Sequence, residues 1–409
     1  MRRVVITGLG VITPLGNEVD TFWNNLVSGV CGIDFIRSYP TENLPVRVAG
    51  EVKGFDPTLY QMEPSTIRRT DLFTRYALAA AYQAMKDSQL SIDPDRLGVY
   101  IGSGIGGLHT IATECEKMFK SGPRWISPLF IPTMIGNIAA ANVAIAHKAQ
   151  GPCLPVVTAC ATSTHAIGEA FHAIKHGYAD AIIAGGTEAA IHALAIGGFA
   201  NSKALDNSND PNRSSLPFDR RRQGFALGEG AGVVILEEYE HAKARGAKLY
   251  AEVCGYGNTC DAYHLTAPYP DGSVPAKAMR TAIDEAGGLQ NDDLLYVNAH
   301  GTGTPLNDKS ETQALKIALG ETKAHEAMIS SNKSMMGHLL GAAGGVEMVA
   351  TALTVYHGIV PPTIHLDEPD PECDLDYVPH RARKSNVTIA ISNSLGFGGH
   401  NGCVAVRKI

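Results

Sequence analysis

The sequence has no CxxC pair, no low-complexity linker and no apolar run near the roughly 20 residues a membrane-spanning helix needs. The first absence removes the common zinc and dithiol motifs. Eight cysteines without regular spacing argue for free thiols in a reducing compartment, not a disulfide framework. Positive charge is also scarce: Lys and Arg total 34 against 41 Asp and Glu, a net charge of −7. No global field draws this chain to nucleic acid or an anionic membrane, so an acidic partner has to be met by a local basic patch. Met1-Arg2-Arg3 precedes apolar Val4-Val5-Ile6, but Gly8, Gly10 and Pro14 break any secretory segment, and a cytoplasmic location is expected.

Glycine, by contrast, is abundant, with 43 in 409 residues beside 44% hydrophobic and 18% charged residues, which describes a compact α/β protein rich in tight turns. Short apolar runs suited to buried strands recur at 4–7, 97–101, 181–184, 231–236, 295–298 and 387–392. Between them lie helical patterns, including 75–86 and 166–176, where Ile167, Ala170, Phe171 and Ile174 share one face. A charged helix over 237–245 ends at Gly246, and strand-like sequence resumes at Leu249. The chain therefore divides into 1–250 and 251–409, with no convincing repeat between the two.

Three segments carry chemistry. In Pro155-Val156-Val157-Thr158-Ala159-Cys160-Ala161-Thr162-Ser163 a buried strand is expected to turn into a helix at Cys160. Unpaired N–H groups there would lower the thiol pKa toward neutrality and could hold an oxyanion. Val297-Asn298-Ala299-His300-Gly301-Thr302-Gly303-Thr304 puts a histidine where a strand gives way to a loop that a polar substrate arm can approach closely. Lys333-Ser334-Met335-Met336-Gly337-His338 brings a second histidine to a small-residue helix. Two neutral imidazoles aimed at one thioester carbonyl would stabilise the enolate left when carbon dioxide departs. Lys333 adds positive charge nearby, and Glu311 is the expected ion partner that keeps it protonated. Glycines around Phe397 suggest a gate.

Together these segments resemble the β-ketoacyl-[acyl-carrier-protein] synthases of the condensing-enzyme family, within it the type II enzymes of fatty acid elongation, over essentially the whole chain. The likeness also runs through Gly102-Ser103-Gly104-Ile105-Gly106-Gly107, Pro217-Phe218-Asp219, Gly224-Phe225, Gly228-Glu229-Gly230 and Gly396-Phe397-Gly398-Gly399. It implies a thiolase-like fold, a five-layer αβαβα sandwich of two similar halves, in a homodimer. It implies that Cys160 accepts the acyl chain while His300 and His338 promote decarboxylation of malonyl carrier protein. By the same resemblance Lys333 and Glu311 form a supporting ion pair. The N–H groups of Cys160 and Phe397 form the oxyanion hole, and Phe397 gates. Ile105 and Phe199 bound the acyl chain, and Thr302 and Thr304 contact phosphopantetheine. Arg68, Arg69, Arg124 and Lys203 face acyl carrier protein. No metal and no resident cofactor are implied, since phosphopantetheine arrives on the carrier. Leu395 departs from the usual phenylalanine, and His400 from threonine.

Rival readings meet specific objections. Gly102 to Gly107 satisfies GxGxxG, but Glu114 and Glu116 come too early for the ribose ligand of a nicotinamide fold. His172 and His176 lack the glutamate of a metal helix and read as surface residues. Cys403 lacks the glycine-loop context a degradative thiolase needs, and a starter-unit synthase of type III would carry asparagine in place of His338. A polyketide ketosynthase subunit shares the triad and stands as the alternative. A silent partner subunit would have replaced Cys160.

Overall fold

The computed structural model describes all 409 residues. Nine strands build the main sheet: β1 Val4–Ile12, β2 Leu97–Gly102, β3 Ala181–Glu188, β4 Gly230–Glu238, β5 Ala251–Cys260, β6 Leu295–Asn298, β7 Met328–Ser330, β8 Ile389–Gly396 and β9 His400–Arg407. They lie in the order β2-β3-β4-β1-β5-β9-β8-β6-β7. The only seam between the first four and the last five is the pairing of Val4, Val5 and Ile6 with Val253, Glu252 and Ala251.

Seven helices matter to the site: α1 Leu72–Ser88, α2 Leu108–Ser121, α3 Thr162–Lys175, α4 Ala193–Asn201, α5 Ser273–Glu285, α6 Pro305–Leu319 and α7 Ala343–His357. Every residue of α7 from Ala343 to Val355 is buried, as expected of a helix apolar on all sides. Both α3 and α7 pack against strands on either side of the seam, whereas α1 covers β1 and β4, and α5 covers β5 and β9. The layers therefore run α1, sheet, α3 with α7, sheet, α5, a five-layer thiolase-like sandwich. The largest apolar cluster joins α3 and α7 to both parts of the sheet, so parting the halves would expose it.

A repeat that periodicity does not reveal becomes visible in three dimensions. A Cβ on Gly8 or Gly10 of β1 would lie 2.2 or 1.9 Å from the carbonyl oxygens of Ala84 and Ala80 on α1. On Gly255 and Gly257 of β5 it would meet those of Ala282 and Ala278 on α5 at 1.9 and 1.8 Å. Each half thus seats its outer helix directly on strand backbone, and only glycine on the strand leaves room.

Pro155 to Val157 is not the buried strand expected from its composition. The segment pairs with β2 through one bridge, between Cys153 and Val99, and Leu154 and Val157 are 50% and 57% exposed, while Val156 packs against the core and its carbonyl lies close to Gly102.

Candidate active site

Cys160 sits in a single 3-10 turn, Ala159–Ala161, that runs straight into α3. Ala159 has φ +51°, an uncommon conformation for a residue with a Cβ, and it is the bend that throws Cys160 into the cavity. The GFGG loop closes over it. A Cβ on Gly396 would lie 2.7 Å from Thr158 O and 3.3 Å from Cys160 N, so the loop can lie flat on the Cys160 turn only with glycine there. The backbone N–H of Phe397 lies near enough to the sulfur to favour its anion. The thiol itself is not shifted toward neutrality. Burial pushes it up to about 12, and the charge of Lys333 and the Phe397 N–H oppose that shift without cancelling it. The N–H groups of Phe397 and Cys160 favour the anion, but desolvation of the sulfur outweighs them, so the shift toward neutrality expected of a helix start is not found.

His300 and His338 face the same cavity, their ring centroids 5.3 Å apart and nearly perpendicular. The loop after β6 carries His300 and is held by Glu311 of α6, whose carboxylate accepts from His300 N at 2.7 Å and Gly301 N at 2.8 Å. His338 lies between the short helix Lys333–Met336 and the turn Leu340–Ala342. Leu340 N–H donates to His338 Nδ1 at 3.2 Å, which leaves the ring proton on Nε2; that atom is buried with no protein partner. Phe225 packs edge-on against this ring at 5.1 Å, and His338 N donates to Ala226 O at 2.7 Å. The Gly224-Phe225 motif therefore brackets the second histidine, a role its sequence did not disclose.

The expected ion pair is corrected. Lys333, 1% exposed, pairs with Glu347 of α7, not with Glu311. Glu311 is already committed to two backbone N–H groups, while α7 brings Glu347 up against the ammonium. Burial first, and then Lys333, hold both histidines well below their usual pKa. Each is neutral at neutral pH and stays so when acidified through 6.5, because folded-state protonation is deferred to lower pH. The acid limb of a decarboxylation rate profile is therefore expected well below pH 6.5; a half-maximal rate at 6.5 or above would contradict neutral, Lys333-depressed imidazoles.

The cavity has a volume of about 360 Å³, and its walls include Cys160, His300, His338, Thr302, Thr304, Phe199, Lys203 and Phe397. The hydroxyls of Thr302 and Thr304 are 2.9 Å apart. Ile105 lies outside it, in an adjoining apolar pocket with Leu108, Leu194 and Gly198; Phe199 and Phe397 line both spaces, their rings 6.5 Å apart. Of the four basic residues, Lys203 stands at the cavity, while Arg68, Arg69 and Arg124 are exposed away from it. Asp261 and Asn401 also line the cavity, with no signal in the sequence to mark them; Asn401 Nδ2 donates to Asp261 Oδ1 at 2.7 Å and ties the end of the Gly396–Gly399 loop to the loop after β5. His172 is not a free surface residue: its Nε2 lies 3.0 Å from Glu285, which also pairs with Lys175. Cys403 is buried in the core and His400 lies off the cavity.

Residues 1–242 match the family described as beta-ketoacyl synthase, N-terminal domain, and residues 250–367 its C-terminal domain. A 3-oxoacyl-[acyl-carrier-protein] synthase 2 of Staphylococcus aureus (strain COL) is 49% identical over 410 residues, covering 100% of this chain and 98% of that protein. One from Synechocystis sp. is 48% identical over 411 residues, with the same coverage of each. Among solved structures, a beta-ketoacyl synthase from Burkholderia phymatum superposes with a TM-score of 0.92 at 34% identity over 100% of both chains. A type II polyketide ketosynthase in complex with its acyl-carrier protein gives 0.92 at 34%, over 100% of this chain and 99% of that one.

Proposed function

The chain belongs to the beta-ketoacyl synthase family, and from that membership we infer how its cavity works. It is an acyltransferase that condenses an acyl chain with malonyl-acyl carrier protein in fatty acid elongation, releasing carbon dioxide and 3-oxoacyl-acyl carrier protein. Cys160, from the part of the chain up to residue 250, attacks the acyl thioester. The new oxyanion is held by the N–H groups of Cys160 and Phe397, and the carrier's thiol leaves with the proton. Malonyl carrier protein then enters past Thr302 and Thr304. His300 and His338, from residues 251–409, donate to its thioester oxygen as carbon dioxide departs, and the resulting carbanion attacks the acyl carbonyl and expels the Cys160 sulfur.

The observation that carries this reading is the one cavity shared by a cysteine and two neutral imidazoles, one of them with its Nε2 proton unspent. Acyl carrier protein is the partner, met first at Lys203 by the cavity and more distantly by Arg68, Arg69 and Arg124, rim charges that steer encounter on an otherwise acidic protein. Ile105, beyond Phe199 and Phe397, sets how much chain fits. A homodimer is implied by the family, and the exposed apolar side chains of Ile131, Ile145, Leu154 and Val157 are candidates for its interface. No helix is long and apolar enough to cross a membrane, and the reaction is assigned to the cytoplasm.

Polyketide ketosynthases share the fold at 34% identity; full-length relatives at 49% favour elongation. The discriminating experiment mixes purified protein alone with malonyl and short- to long-chain acyl carrier proteins. Product and carbon dioxide are expected without any second subunit, from a sample that sediments as a dimer at micromolar concentration. Dependence on an added subunit would favour the polyketide reading, and a monomer would remove the homodimer.

A further inference from the structure

Glu188 ends β3 with its carboxylate fully buried where three loops meet. Its Oε1 accepts from Ser103 Oγ at 2.7 Å and Ile105 N at 3.2 Å, and its Oε2 from Gly104 N at 2.8 Å and Gly341 N at 3.0 Å. No cation forms an ion pair with it, so these four donors supply the stabilisation that a buried anion requires. Burial raises its pKa and all four donors pull the other way. The surrounding glycines answer to the same group: a Cβ on Gly104 or on Gly341 would lie 2.8 Å from Oε2. The Gly102 to Gly107 run that imitates a dinucleotide fingerprint thus wraps its N–H groups around the protein's own carboxylate instead of a pyrophosphate.

What this carboxylate connects is specific. Ile105 lines the apolar pocket beyond the gate. Gly341 is the middle residue of the turn Leu340–Ala342, whose Leu340 N–H orients His338. The Gly341 carbonyl accepts from Ser163 Oγ, at the start of the nucleophile's helix. Leu340 has φ +49°, a strained conformation for leucine that persists only when the surrounding structure over-determines it.

We propose that Glu188 is a positioning residue of the condensation, holding Ile105 in the acyl pocket and the His338 turn in register with the Cys160 helix through one shared carboxylate. The proposal rests on the reading that Cys160 carries the acyl chain and that His338 serves decarboxylation. Its consequence is that chain-length choice and decarboxylation are coupled at a residue that touches neither substrate.

Glu188→Gln keeps the shape but turns one acceptor oxygen into a donor. Gly104 N and Gly341 N need Oε2, so the amide settles toward Ser103 and forfeits the bond from Ile105 N. Discrimination between favoured and over-long acyl carrier proteins should flatten, and malonyl decarboxylation should fall by about 10- to 100-fold, the scale expected when reacting groups shift by about 1 Å. The pH profile of Cys160 alkylation by iodoacetamide should move to lower pH, since an anion near the sulfur has been removed. Ser103→Ala removes one donor and leaves the charge in place; it should loosen chain-length choice without moving the alkylation profile down. A folded Glu188→Gln protein with unchanged chain-length preference, or with losses equal for every chain length and an unmoved alkylation profile, overturns the proposal. If Glu188→Gln does not fold, Ser103→Ala decides alone, and an unchanged preference there overturns it. Wild-type protein run alongside separates this from the underlying reading: if wild type fails to condense, the reading has failed and not merely the role of Glu188.

Discussion

Cys160→Ala should lose condensation by about four orders of magnitude or more, the scale seen when a nucleophile is removed from an assembled site. The fold should not notice. Cys160 is only partly buried, the cavity beside it is already open, and deleting one sulfur there should cost no more than about 1 kcal/mol. Cys160→Gln should behave differently from alanine. A neutral amide placed under the N–H groups of Cys160 and Phe397 occupies the position of the acylated sulfur, so malonyl carrier protein should still lose carbon dioxide while no condensation product forms. Product analysis and thermal melting on the two variants read both statements. Condensation above about one per cent of wild type in either variant would place the nucleophile elsewhere.

The second large effect concerns stability. Glu347→Leu strands the Lys333 ammonium in a site where it is 1% exposed, at a cost of about 3–5 kcal/mol. Lysine answers by shedding its proton, which also removes the charge that helps hold His300 and His338 neutral. Lys333→Met combined with Glu347→Leu replaces the pair by apolar groups of similar volume and should recover most of the stability, since a buried pair roughly breaks even against such a replacement. Activity should not recover with it. Denaturant melting of the two single variants and the double variant gives the coupling directly. If Glu347→Leu melts like wild type, the pairing assigned here is wrong.

Much of this is legible in the sequence, for physical reasons that differ between elements. β6 matches its expected span of 295–298, because a strand buried on both faces shows as an uninterrupted apolar run. β9 went unread: its sequence from His400 to Arg407 mixes Asn, Gly and Cys with only two valines, and its pairing with β5 and β8 is tertiary. The repeat was hidden because it consists of paired glycines and alanines at backbone contacts, which leave no periodic hydrophobic signal. At the site, the histidines and the thiol could be found from their glycine-rich contexts, whereas the partner of Lys333 could not. Choosing between Glu311 and Glu347 requires knowing which helix faces the ammonium, and both carboxylates are fully buried. The thiol's pKa departs from the sequence expectation for a related reason: a helix start is local in sequence, but the desolvation that outweighs it depends on segments brought together by the fold, among them those carrying Phe199, His300, His338 and Phe397.

The central claim is a division of labour, with sulfur for acyl transfer and imidazoles for decarboxylation. Peptide mass mapping of His338→Ala incubated with an acyl carrier protein, alongside carbon dioxide release from malonyl carrier protein, tests it most directly. The account predicts the acyl group on Cys160 at close to the wild-type rate, with carbon dioxide release reduced by about 100-fold or more. An acyl group found on another residue, or equal losses in the two half-reactions, would contradict it.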